Sequence, residues 1–127
     1  VDQLDISTWH FEGNSNWDTT NNWLELTQAQ LWQLGSAFQT SQTVSGGAVS
    51  IEFLFYIGDG TGADGISLTA LDTTRMTTYL GSNGCGIGYG GDHSCANKPG
   101  LPGWSIEVDT YYTTILALPT AAYCHRF

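Results

Sequence analysis

The sequence predicts an all-β fold, an antiparallel sandwich, and three observations lead there. Apolar and polar residues alternate with a period of two along several short runs. Those runs are rich in Val, Ile, Thr and aromatic residues, which suit a pleated, half-covered surface. Clusters of Gly, Asn, Asp and Ser separate them at EGNSN, SGG, GDGTGADG, GSNGCG and GGDHS. No repeat, linker or low-complexity tract divides the chain, so residues 1–127 are expected to form a single domain.

In chain order, NWLELT has strand character, followed by Thr27-Gln28-Ala29-Gln30, a capping-box pattern that could open a short helical turn before LWQLG. Strand or turn is the preferred reading of that segment. SAFQTSQTV is expected to be extended. In AVSIEFLFYI, residues 48–57, Val49, Ile51, Phe53, Phe55 and Ile57 fall on one face and Ala48, Ser50, Glu52, Leu54 and Tyr56 on the other. This predicts a strand in a half-covered sheet. GISLTALD repeats the alternation with Ile66, Leu68 and Ala70 inward. GWSIEVDTYY puts Ser105, Glu107, Asp109 and Tyr111 on one face and Trp104, Ile106 and Val108 on the other.

Charge narrows the function classes. Arg75, Lys98 and Arg126 face twelve Asp and Glu, giving a net charge of −9 with His neutral. No basic patch exists to neutralise phosphates, so nucleic acid and anionic membrane are poor partners. Cations and neutral ligands such as sugars suit the chain better. No apolar run approaches the roughly 18 residues of a membrane span, and the N-terminus has no basic and apolar leader pattern, so no membrane insertion is expected. Cys85 and Cys95 flank a Gly-rich loop closely enough to be bridged, which leaves Cys124 odd.

Several motifs dissolve on inspection. Gly60 to Gly65 spells G-x-G-x-x-G, but the following ISLTAL is strand-like and offers no helix N-terminus to a pyrophosphate. As a calcium loop, Asp59 would be followed by Thr61 and Ala63, where the EF-hand pattern needs Asp or Asn. A tight turn between strands is the simpler reading. Cys85, His93, Cys95 and Cys124 lack the close Cys pair of a zinc site, and His10 and His125 have no partner assignable from spacing.

The pair Glu107 and Asp109 demands more. Two carboxylates side by side on a strand sit in water, hold a cation, or do acid/base work. Laminarinase-type β-sandwich glucanases carry acid-x-Asp-x-acid on one strand, but here Tyr111 stands at the third position, and a retaining mechanism without its second acid fails. A hard cation asks less, accepting carboxylates, backbone carbonyls and water.

Taken together, GADGIS at 62–67, GCGIGYGG at 84–91 and LPGWSIEVDTYY at 101–112 resemble, in order and spacing, the L-type lectins, the legume-lectin family and its bacterial relatives. The resemblance covers residues 20 to 112. It implies a concanavalin-like jelly-roll β-sandwich with the sugar site in loops at one end. It further implies that Asp64, after a cis peptide, accepts hydrogen bonds from sugar hydroxyls. Gly84 and Gly86 would let backbone N–H groups approach the sugar, and Tyr111 would offer it an aromatic platform. Glu107 would bind a transition-metal ion such as manganese, Asp109 would bridge it to calcium, and the Tyr111 carbonyl would complete part of the calcium shell. The implied function is non-catalytic binding of glycans or glycoconjugates, in a secreted or extracellular setting.

Departures begin after Tyr112. The family's calcium-binding and sugar-binding Asn falls at Thr113, an Asp expected before a Pro falls at Leu118, and the expected Asp-His reads Tyr123-Cys124 with His125 one place late. The chain ends where the family has about half its strands still to come, so an incomplete, truncated or frameshifted N-terminal portion of the domain is expected. Unpaired edges and an uncovered apolar face would then favour self-association. Two other functions compete: a glucanase-like glycoside hydrolase, and a structural or adhesion module whose sugar site has decayed.

Overall fold

The computed structural model describes residues 5–44, 48–60, 62–91 and 100–111. Within them the protein is built of strands and loops, with helix limited to two single 3₁₀ turns at Ile6–Thr8 and Gly84–Gly86. All strand pairing is antiparallel, so the all-β class holds. The strands are β1 (Trp9–Gly13), β2 (Asn16–Asp18), β3 (Trp23–Glu25), β4 (Gly35–Gln39), β5 (Gly65–Leu71) and β6 (Gly103–Asp109). They form three two-stranded sheets, β1–β4, β2–β3 and β5–β6.

The first sheet pairs Trp9 with Gln39 through to Gly13 with Gly35. WHFEG, with His, Glu and Gly in so short a run, carries too weak an alternation to read as a strand, yet it is β1. Its Glu12 is half-buried and accepts hydrogen bonds from the Thr78 hydroxyl and the Tyr79 amide, both 3.3 Å. Ser36 on β4 donates to the Tyr79 carbonyl at 2.7 Å, and the Tyr79 ring lies between His10 and Phe38. The chain beyond β5 is thereby fastened to the β1–β4 sheet.

β2 and β3 form a hairpin whose turn is organised by one carboxylate. Asp18 accepts the Thr20 amide at 2.8 Å and the Asn21 amide at 3.0 Å, while Asn22 takes the left-handed conformation at φ 58° that Asn tolerates better than most residues. NWLELT therefore supplies only Trp23–Glu25 to a strand. The Thr27–Gln30 segment is irregular and bends at Ala29 and Gln30, with no helix.

SAFQTSQTV is a strand only to Gln39. The Gln39 side-chain carbonyl accepts the backbone N–H groups of Ser41 and Gln42, both at 2.8 Å, which turns the chain away from the ladder.

The largest correction concerns residues 48–57. They belong to no strand among the described residues. The alternation itself survives: Val49, Ile51, Phe53 and Phe55 are each about half exposed, while Leu54 and Tyr56 are more so. Phe53 and Phe55, two apart, bring their ring centroids to 5.9 Å. The segment has a strand's side-chain pattern without a ladder partner among the described residues.

β5 and β6 pair over their full length, from Gly65 opposite Asp109 to Leu71 opposite Gly103. This register confirms the two faces of β6, but their burial runs against the expectation of an inward apolar face. Ser105 and Glu107 are half-buried, while Trp104, Ile106 and Val108 are exposed and Ile66, Leu68 and Ala70 are only half-buried. The polar face is covered because the Gly-rich loop lies on it. Among the described residues only Ile87, on that loop, is a buried large apolar residue, at 8% exposure.

Candidate functional site

The three motifs that carry the sequence resemblance meet on the β5–β6 sheet. Its entry is at Gly65, whose φ of 150° brings the backbone so close to Val108 that a Cβ would collide with the Val108 carbonyl oxygen. No side-chain-bearing residue fits there. Immediately before it, the Ala63–Asp64 peptide is cis. The Asp64 carbonyl accepts the Thr110 amide at 3.0 Å, and the Thr110 hydroxyl donates to the Gly62 carbonyl. Residues 62–64 are thus tied to the end of β6, beside Tyr111. The segment before this turn is not a strand and the segment after it is, so the dinucleotide-binding pattern has neither of its flanking elements.

The Gly-rich loop, 81–91, folds back on itself. The Gly81 amide donates to the Gly88 carbonyl at 2.7 Å, the Ser82 amide to Gly90 at 2.9 Å and the Gly88 amide to Ser82 at 2.9 Å. Leu101, leading into β6, donates to the Tyr89 carbonyl at 2.7 Å. At its centre Ile87 adopts φ 44°, a conformation that β-branched residues rarely take. Burial of its side chain, its N–H bond to the Gly84 carbonyl and the Ser67 hydroxyl on its own carbonyl (3.0 Å) hold it there.

The two candidate glycines differ. Gly84 is exposed at φ 60°, and a Cβ there would meet nothing within 4 Å, so its backbone faces open space. Gly86 is buried, a Cβ would lie 2.9 Å from the Ser82 Cβ, and its N–H already donates to Asn83. Only the first can present backbone to a ligand.

Asp64 is half-buried and Tyr111 is 51% exposed. Glu107 accepts a hydrogen bond from the Tyr89 hydroxyl, and Asp109 accepts the Tyr111 amide at 3.0 Å. A calcium ion collects six to eight oxygens. Among the described residues, no three His, Cys, Asp or Glu side chains converge, so Glu107, Asp109 and the Tyr111 carbonyl do not by themselves make up such a set. Thr113, Leu118, Tyr123, Cys124 and His125 lie outside the described residues, as do His93, Cys95 and with it the expected disulfide.

Two contacts at this site are not foreseen by the sequence, those of Ser67 with the Ile87 carbonyl and of Tyr89 with Glu107. The available signal was a lone large polar aromatic in GCGIGYGG and a hydroxyl on the same face as the β6 carboxylates. No helix among the described residues is long and apolar enough to cross a membrane. Compared with known proteins, the chain matches no family model, no curated protein and no solved structure.

Proposed function

We infer that this chain is a non-catalytic carbohydrate-binding module of the L-type lectin kind, with a jelly-roll sandwich as its parent architecture and extracellular glycans or glycoconjugates as its ligands. The observation that carries the reading is convergence. Residues 62–64, the Gly-rich loop and the end of β6, far apart in sequence, are joined through one two-stranded sheet.

In this reading Asp64 accepts hydrogen bonds from adjacent sugar hydroxyls, the exposed Gly84 backbone approaches the sugar, and the Tyr111 ring covers its C–H face. Thr113 would contribute a hydroxyl. Binding without turnover is favoured because Tyr111 occupies the place where a glucanase of this kind needs its second acid.

The test is a screen of immobilised glycans with the wild-type chain and Asp64→Asn, run with calcium and with chelator. Binding by wild type that falls at least about tenfold in Asp64→Asn, with an unchanged melting curve, is expected. No glycan bound under either condition would leave a structural or adhesion module. Release of reducing sugar from a β-glucan, lost in Glu107→Gln, would make the protein a glycoside hydrolase.

A further inference from the structure

Ser67 and Glu107 stand directly opposite each other on β5 and β6, so their side chains project side by side from the same face. On the loop above them, the partners are also neighbours. Ser67 donates to the Ile87 carbonyl at 3.0 Å, and Tyr89, two residues further on, donates its hydroxyl to the Glu107 carboxylate. The loop therefore lies across the sheet at this one row of the ladder, held by two side-chain bonds. Ser105, the next residue on that face, is occupied instead with Thr69 (2.8 Å) and the Leu68 carbonyl (3.1 Å).

We propose that Tyr89 is the positioning residue of the site. Its phenol bonded to Glu107 docks the Gly-rich loop on the β5–β6 sheet without a metal ion, which gives Glu107 a structural task in place of a ligand's. A hydroxyl donating to a carboxylate is a charge-assisted bond, stronger than one between neutral groups. Half-burial of both partners shields it from competing water. The inference concerns how the loop is held and stands apart from whether the loop binds sugar.

A hydrogen-bonded carboxylate can also serve a metal, with Tyr89 as the outer partner that orients it. Four variants separate the two. Tyr89→Phe keeps the ring and removes only the donor. Glu107→Gln keeps an acceptor oxygen and removes the charge a metal needs, while Glu107→Met removes both. The double variant Tyr89→Phe/Glu107→Met tests whether the partners act as one unit.

The readouts are amide hydrogen exchange at Gly81, Ser82, Gly88 and Leu101, and titration with calcium and with manganese, the free manganese being followed by its electron paramagnetic resonance. In wild type, exchange is expected to be the same with either metal or chelator. Tyr89→Phe and Glu107→Met should each speed exchange at these amides about tenfold, the double variant no further, and Glu107→Gln by much less. Stoichiometric calcium or manganese binding by wild type that slows loop exchange and is lost in Glu107→Gln would overturn the proposal. So would unchanged loop exchange in Tyr89→Phe.

Discussion

Residues 48–57 and 103–109 are both alternating, aromatic-containing runs, and both read as strands, yet among the described residues only the second is one. Strand β6 has a partner of its own length, and its seven positions all pair with β5. The 48–57 run keeps its two faces and pairs with nothing among the described residues. Alternation decides which side chains share a face; it says nothing about where the backbone N–H and C=O groups will find partners. That second requirement is what separates a strand from an extended loop.

The sharpest way to break the ordered half is Gly65→Ala. The substitution demands a Cβ where the Val108 carbonyl sits, at a backbone angle L-residues rarely adopt, so the first rung of β5–β6 must open. A loss of about 3 kcal/mol is expected in urea unfolding, with the loop amides of 81–91 losing protection together with the sheet. Protection that survives in the loop alone would mean that the loop is organised independently of the ladder.

The same comparison explains what could be foreseen. The two faces of β6 were legible because a two-residue period leaves no freedom about which side chains go together. Their burial was not, because a carboxylate on the covered face makes physical sense only once the Tyr89 phenol is known to reach it. That contact depends on a loop whose path turns on the left-handed Ile87, a conformation no propensity predicts for isoleucine. β1 and β2 are not legible in the sequence for a different reason. WHFEG and NWD are too short and polar to show a period, and the β1 ladder is supported by contacts of Glu12 with residues 78 and 79 that are remote in sequence. The Gly, Asn and Asp clusters do mark turns, since the chain changes direction at Asp18 and Asp64.

A second variant probes residues 48–57. Phe53→Ser with Phe55→Ser removes two rings that are about half exposed and touch each other. Because no ladder among the described residues depends on them, unfolding free energy is expected to change by less than about 0.5 kcal/mol. Association should respond more strongly. Exposed Leu31, Trp32, Leu54, Tyr56, Trp104 and Ile106 give the wild-type chain ample apolar surface, so concentration-dependent association is expected in sedimentation velocity. The double variant should shift the boundary toward monomer. A destabilisation of about 2 kcal/mol or more would instead show that the segment packs as a strand does and differs little from β6.

The smallest effect tests the far end of the ordered half, where β5 leaves its sheet. Asp72 donates its amide to the Pro102 carbonyl at 2.8 Å, one step beyond the last rung. Its carboxylate then closes a turn: it accepts the Thr74 hydroxyl at 2.6 Å and amide at 3.0 Å, and the Arg75 guanidinium at 2.6 Å. The Thr74 hydroxyl above all, and then Arg75, hold its pKa down at about 2. A depressed carboxylate favours the folded turn fully above the ordinary Asp value of about 3.9, and loses that contribution as pH falls through about 2. Because the side chain stays open to water, at 32% exposure, the effect on global stability is small. A site-resolved NMR titration is the fitting measurement. Asp72 should titrate near 2, Thr74→Val should raise that midpoint more than Arg75→Gln does, and high salt should weaken the arginine's contribution while leaving the threonine's in place. A midpoint at the ordinary Asp value in the wild-type chain would mean that this end of the sheet frays in solution, and that the ladder's order stops at its last rung.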